Sequence, residues 1–120
     1  MHPSAKGHTA WIGGTTLHWV EMGEGEGPPV VLLHGLCDSH RTWSRVAHLI
    51  AEKRRVLALD LPGYGLSDRP DAPYTLEWQA RIVTAWLDAL GLKEIDIVGH
   101  SYGGGVAQCL LLVSPGRVRR

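Results

Sequence analysis

The chain has 120 residues, 44% hydrophobic and 20% charged, with twelve Lys and Arg offset by twelve Asp and Glu. That length suits one compact domain with one core, and the composition is that of a folded globular protein, not a disordered one. Zero net charge with dispersed cations argues against a nucleic-acid partner, and no apolar stretch approaches the roughly twenty residues needed to span a membrane.

Residues 1–10 contain no apolar core of a secretion signal, so a cytoplasmic protein is expected. Residues 9–12 and 15–22 are β-prone runs separated by Gly13-Gly14, a dipeptide suited to a tight hairpin turn. The GEGEGPP segment at 23–29 is a loop. Val30-Val31-Leu32-Leu33 is continuously apolar, as expected of a parallel strand covered on both faces, and residues 56–59 and 95–98 read the same way.

Helical spacing fills the intervals between these runs, giving the βαβ pattern of an α/β fold. A first helix is expected over 41–53, with Trp43, Val46, Ala47 and Ile50 on its inner face. A second is expected over 76–90, capped by Thr75, stopped at Gly91 and striped by Leu76, Ala80, Val83, Leu87 and Leu90. The third should start right after Ser101 and run to Pro115; being apolar on most sides, it should be buried.

The chemistry is concentrated at residues 95–104, IDIVGHSYGG. Gly99-His100-Ser101-Tyr102-Gly103 is a G-x-S-x-G sequence between a strand and a helix, the context of a nucleophile elbow that exposes a serine at a sharp turn. Gly99 and Gly103 allow backbone contacts that a Cβ would obstruct. Ser101 would lie at a helix N-terminus, where free N–H groups favour developing negative charge, with the Tyr102 amide as one oxyanion donor. The other reading of the same letters is a Gly-rich turn that holds a phosphate or only packs tightly.

His34-Gly35-Leu36-Cys37 follows the first parallel strand, and DLPGYGLSD at 60–68 follows the second. With the elbow, this order resembles the α/β-hydrolase family over nearly the whole chain. The resemblance implies an antiparallel hairpin, then three parallel strands with flanking helices, about five of the usual eight strands. It implies a serine nucleophile at Ser101, an oxyanion hole made by the backbone N–H groups of Leu36 and Tyr102, and supporting roles for His34, Gly35, Gly99 and Gly103. His34 is then a group that orients the oxyanion loop and not the catalytic base. Asp60, Gly63 and Gly65 are read as structural.

The activity implied is hydrolysis of a carboxylic ester or related small acyl compound through an acyl-enzyme. The same elbow would serve a C–C bond hydrolase or a cofactor-free haloperoxidase or perhydrolase. Dehalogenase and epoxide-hydrolase members usually carry Asp where this chain has Ser101. No metal or organic cofactor is called for: His2, His8, His18, His40, His48 and His100 lack ligand spacing, and Cys37 and Cys109 read as free thiols. Of the tryptophans, Trp43 is the one placed near the oxyanion loop.

The resemblance puts the catalytic acid and histidine later in the family than residue 120. The chain is therefore read as a single, truncated domain without lid or C-terminal strands, weakly active or inactive alone, and the competing reading is a noncatalytic fragment or a partner-dependent half. The strand before Ser101 would be left with an open edge, which invites self-association or complementation by another polypeptide.

Overall fold

The computed structural model describes residues 4–120; His2 lies outside them. Strands β1 (Lys6–Ile12) and β2 (Thr15–Met22) form the expected hairpin. Gly13 and Gly14 both take positive φ, 56° and 89°, and Ile12 pairs with Thr15, so the connection is a two-residue turn of the kind that matches strand twist. The remaining elements are β3 (Val30–Leu33), α1 (Ser44–Ile50), β4 (Val56–Asp60), α2 (Leu76–Ala89), β5 (Asp96–Gly99) and α3 (Tyr102–Val113).

The five strands form one sheet in the order β1-β2-β4-β3-β5. β2 pairs antiparallel with both β1 and β4, whereas β3 pairs parallel with β4 and β5. The unbroken apolar runs have a plain cause. Val30, Leu32, Val56 and Ala58 join Ala47 and Ala51 in one core cluster, whereas Val31, Leu33, Leu57 and Leu59 join Val83, Trp86, Leu87, Val106 and Leu110 in a larger one. Alternate side chains point to opposite faces of a strand, so strands covered on both faces must be apolar throughout.

From β3 the chain moves to β4 on one side, then returns to place β5 on the other. That reversal creates a crevice between the carboxyl ends of β3 and β5, the position where open α/β sheets bind ligands. The loops after both strands, 34–39 and 100–101, open there.

Thr75 caps α2 as expected, its Oγ1 accepting the Trp78 N–H at 3.0 Å. The first helix differs from expectation: a 3-10 turn, His40–Trp43, capped by Ser39, takes up the start, and α1 proper ends at Ile50. Val46 is exposed, while Trp43, Ala47 and Ile50 pack on the smaller core.

The expectation of a mostly buried third helix is also corrected. Gly103, Val106 and Leu110 are buried, but Leu111 is exposed and Leu112 is 82% exposed. α3 packs against the sheet and α2 along one stripe, and no described residue covers its other side. The edge of β5 is less open than expected. Ile95 N–H donates to Arg117 O, Arg119 N–H to Ile95 O and Ile97 N–H to Arg120 O, and Val118 forms a parallel bridge with Ile95.

This pairing is tied down by a charged clamp. Arg119 donates to both oxygens of Asp96, at 3.0 and 2.7 Å, and Arg54 Nη2 donates to Oδ2 at 2.8 Å. The Arg119 hydrogen bonds, helped by Arg54, lower the Asp96 carboxyl from 3.8 to about 2. A depressed carboxylate contributes stability that is complete above its unfolded pKa and is lost as pH falls through the folded one. Urea denaturation of the wild type should therefore show stability falling between about pH 4 and pH 2, with the acid limb flatter in Asp96→Asn. By the same assay Leu110→Ala should cost about 2–5 kcal/mol, and Leu112→Gln should stay within about 0.5 kcal/mol of wild type.

Candidate active site

The elbow is built from backbone. His100 N–H donates to Leu33 O at 3.0 Å, extending the β3–β5 pairing one residue beyond the strand. The chain then reverses at Ser101, which takes φ 54° and ψ −114°. A non-glycine residue there stores strain on the order of 1–3 kcal/mol and persists only when its surroundings over-determine it. Here they do. A Cβ on Gly103 would collide with the carbonyl oxygens of Leu33 and His34, and one on Gly99 would lie 2.5 Å from Gly103 O. The two glycines let α3 start directly against the end of β3.

Ser101 is exposed at this point, immediately before the first turn of α3. Gly103 N–H donates to His100 O and Gly105 N–H to Ser101 O. The Tyr102 amide takes no such bond among the described residues and is left at the positive end of the helix dipole.

The loop after β3 approaches the same point. Asp38 N–H donates to Gly35 O at 3.2 Å, closing a turn whose third residue, Cys37, has φ 60°. A Cβ on Gly35 would lie 3.0 Å from His100 Nδ1, so this turn abuts the elbow. Leu36 is 61% exposed, and its amide likewise has no acceptor among the described residues.

His34 is fully buried beneath the turn. Leu61 N–H donates to its Nε2 at 3.0 Å, which fixes the proton on Nδ1, and Nδ1 donates to Gly35 O at 2.8 Å. Burial pushes the His34 imidazole below its ordinary value. With its one lone pair occupied by an amide, His34 has nothing with which to take a proton from Ser101.

The other hydrogen-bonded imidazoles point elsewhere: His18 and His40 to Asp60, and His48 to Ser44 O. Tyr64 packs edge-on against His34 and tilts against Tyr102, whose hydroxyl donates to Tyr74 O at 3.3 Å. These rings form an aromatic wall beside the elbow, and burial raises the Tyr64 hydroxyl above its ordinary value.

Sequence reasoning missed one grouping. His18 and His40, dismissed for lack of ligand spacing, meet at Asp60, with donor atoms all within 4.8 Å of one another. The carboxylate is fully buried. His40 donates to Oδ1 through its backbone N–H at 2.7 Å and its Nδ1 at 2.8 Å, whereas His18 Nδ1 and Leu66 N–H donate to Oδ2 at 2.8 and 3.0 Å. Burial pushes the Asp60 carboxyl up, but these hydrogen bonds outweigh it and hold it below its ordinary value. Its acceptor sites are filled by N–H donors, so the grouping is a hydrogen-bonded hub and not a vacant metal cradle. Only the cross-strand register, which places His18 opposite Asp60, reveals it.

Two concavities lie away from this centre. One of about 870 Å³ is bordered by Lys6, His8, Glu21 and Arg55, and one of about 300 Å³ by Met22, His40, Trp43 and Ala47. Neither is lined by Ser101, Leu36 or Tyr102. Chemistry, not cavity size, marks the site.

Residues 28–120 match the family described as alpha/beta hydrolase fold. The chain belongs to the α/β-hydrolase family. It is 40% identical to a haloalkane dehalogenase of Agrobacterium fabrum over 96% of its own length and 37% of that protein's. It is 39% identical to 2-hydroxymuconate semialdehyde hydrolase of Pseudomonas sp. strain CF600, over 80% of this chain and 35% of that one. The crystal structure of Cfl2 from Burkholderia cenocepacia superposes with a TM-score of 0.92 at 33% identity, over 97% of this chain and 40% of that chain. The chain thus spans well under half the length of these α/β hydrolases.

If the elbow depends on backbone contact, adjacent glycines should respond differently. Gly103→Ala should cost at least about 3 kcal/mol in urea denaturation. Gly104→Ala, whose Cβ would meet nothing nearer than Gly99 O at 3.4 Å, should be neutral or stabilising by up to about 1 kcal/mol.

Proposed function

We propose that the protein is a serine hydrolase of carboxylic esters or related small acyl compounds, with Ser101 as nucleophile and the Leu36 and Tyr102 amides as the oxyanion hole. The observation that carries this reading is the exposed, strained Ser101 at the start of α3, with two uncommitted amides on the elbow and the abutting turn. Ser101 Oγ attacks the acyl carbonyl as its proton passes to a base. The carbonyl oxygen becomes an anion held by the two amides. Collapse expels the alcohol, which takes up that proton, and water then releases the acid from the acyl-enzyme. Each oxyanion donor in such chemistry is worth about 3 kcal/mol.

The base and the acid that orients it come, in this reading, from outside the described residues. The exposed apolar side chains of Val98, on the α1 face of β5, and of Leu111 and Leu112 on α3, across the sheet, support completion of the domain on both faces beyond β5, by further polypeptide or a second copy. Free Cys37 and Cys109, and the lack of any described helix long and apolar enough to cross a membrane, suit a cytoplasmic setting.

The similarity to a haloalkane dehalogenase concerns the scaffold, and the elbow residue separates the chemistries. A carboxylate that displaces halide forms an ester, which water can open at its carbonyl. A serine oxygen would form an alkyl ether with no carbonyl to attack, so Ser101 suits acyl substrates. The 39% identity to a semialdehyde hydrolase favours, as the second reading, a carbonyl substrate cleaved at a C–C bond by the same nucleophile.

A fluorophosphonate probe with adduct mapping by mass spectrometry, applied to the protein together with the polypeptide or second copy that supplies the base, tests the reading. Labelling at Ser101, absent in Ser101→Ala, is the expected result. A folded protein that remains unlabelled would favour the noncatalytic alternative.

A further inference from the structure

The loop carrying the Leu36 amide is pinned at both ends by consecutive residues at the end of β4. At its start, His34 Nε2 accepts the Leu61 N–H at 3.0 Å. At its finish, six residues on, the His40 backbone N–H and Nδ1 both donate to Asp60 Oδ1, at 2.7 and 2.8 Å. Between these anchors lies the turn with Cys37 at φ 60°, a conformation that a non-glycine residue keeps only under constraint.

The two imidazoles on Asp60 are chemically alike but differently placed. His18 belongs to β2, held in the sheet by its register with Asp60, and its backbone N–H donates to Ser67 Oγ at 2.8 Å. It needs no carboxylate to stay where it is. His40 opens the 3-10 turn directly after the loop; apart from the packing of Trp43 on the smaller core, its polar tie to the sheet is to Asp60, because the Ser39 cap joins residues of the turn itself.

We infer that His40 is a positioning residue: through the buried Asp60 carboxylate it fixes the loop that presents the Leu36 amide beside Ser101, whereas His18 only completes the hydrogen bonding of that carboxylate. The consequence for catalysis rests on the function proposed above. The consequence for the loop does not.

The test compares His40→Phe, which fills the ring's space without a donor, with His40→Asn, whose amide N–H sits near the place of Nδ1–H, and with His18→Phe. Each Phe variant removes one imidazole donor from the buried carboxylate and leaves the backbone N–H of residue 40 on Oδ1, so a merely structural role predicts that His18→Phe, whose bond is the more buried, does at least as much harm as His40→Phe. Two readouts apply: the rate constant and half-saturation of Ser101 labelling by the fluorophosphonate, and the amide resonances of Leu36 and Cys37 by NMR.

The expected result for His40→Phe is a labelling rate constant reduced on the order of tenfold or more, half-saturation little changed, and shifted Leu36 and Cys37 amides. His40→Asn should recover most of the rate, and His18→Phe should stay within about twofold of wild type with those amides in place. A loss in His18→Phe at least as large as in His40→Phe, or Leu36 and Cys37 amides unmoved in His40→Phe, would overturn the inference. If the wild type does not label, the hydrolase reading fails by itself, and the amide resonances still decide the role of His40. If His40→Phe does not fold, His40→Gln, whose longer side chain carries its donor past the Nδ1 position, takes its place with the same outcomes.

Discussion

The approach of Gly103 to the end of β3 is the contact on which the site depends. A Cβ there would occupy the space of the Leu33 and His34 carbonyl oxygens, so only glycine lets α3 begin flush with the sheet. That approach drives Ser101 into its left-handed conformation and leaves the Tyr102 amide free at a helix start. It also sets the elbow against Gly35, bringing the loop after β3 to the loop after β5. Interior packing is stiff, so a misfit of one methyl at this point would propagate through the elbow and could not be absorbed locally.

Asp60 holds the other side of the arrangement. A buried carboxylate is costly unless its oxygens are satisfied, and here two amides and two imidazoles supply the donors. Those donors come from β2, from the turn before α1 and from the loop after β4, so one charge ties three segments together. Ser67 adds to the tie, its hydroxyl donating to Asp60 O at 2.5 Å and its Oγ accepting the His18 N–H. The strained turn at Cys37 and the strained elbow at Ser101 thus sit between constraints of two kinds, steric at Gly103 and electrostatic at Asp60.

Much of the fold was legible in the sequence because its signals are local. Gly13-Gly14 defines a hairpin by conformation, the apolar runs of β3 and β4 define strands buried on both faces, and Thr75 defines a helix start. The reading failed where burial depends on what lies opposite. Leu110 and Leu112 look alike in sequence, yet one faces the sheet and the other faces solvent. The candidate site divides the same way. The elbow residues Gly99 to Gly103 form one continuous motif, and the His34-Gly35 pair follows a strand. The His18, His40 and Asp60 hub joins residues 42 and 20 positions apart and exists only through strand pairing.

Membership of the α/β-hydrolase family accounts for the scaffold, and relatives of similar identity carry names of different chemistries. On the function proposed above, what sets this chain's chemistry is the Ser101 oxygen at the tip of the elbow and the uncommitted Tyr102 and Leu36 amides on the elbow and the turn abutting it. The most direct test is a crystal structure of the protein soaked with a small arylboronic acid. The account predicts a tetrahedral boronate bonded to Ser101 Oγ, with one oxygen about 2.7–3.1 Å from both the Leu36 and Tyr102 nitrogens. A boronate absent from Ser101, or one whose oxygens turn away from both amides, would contradict it.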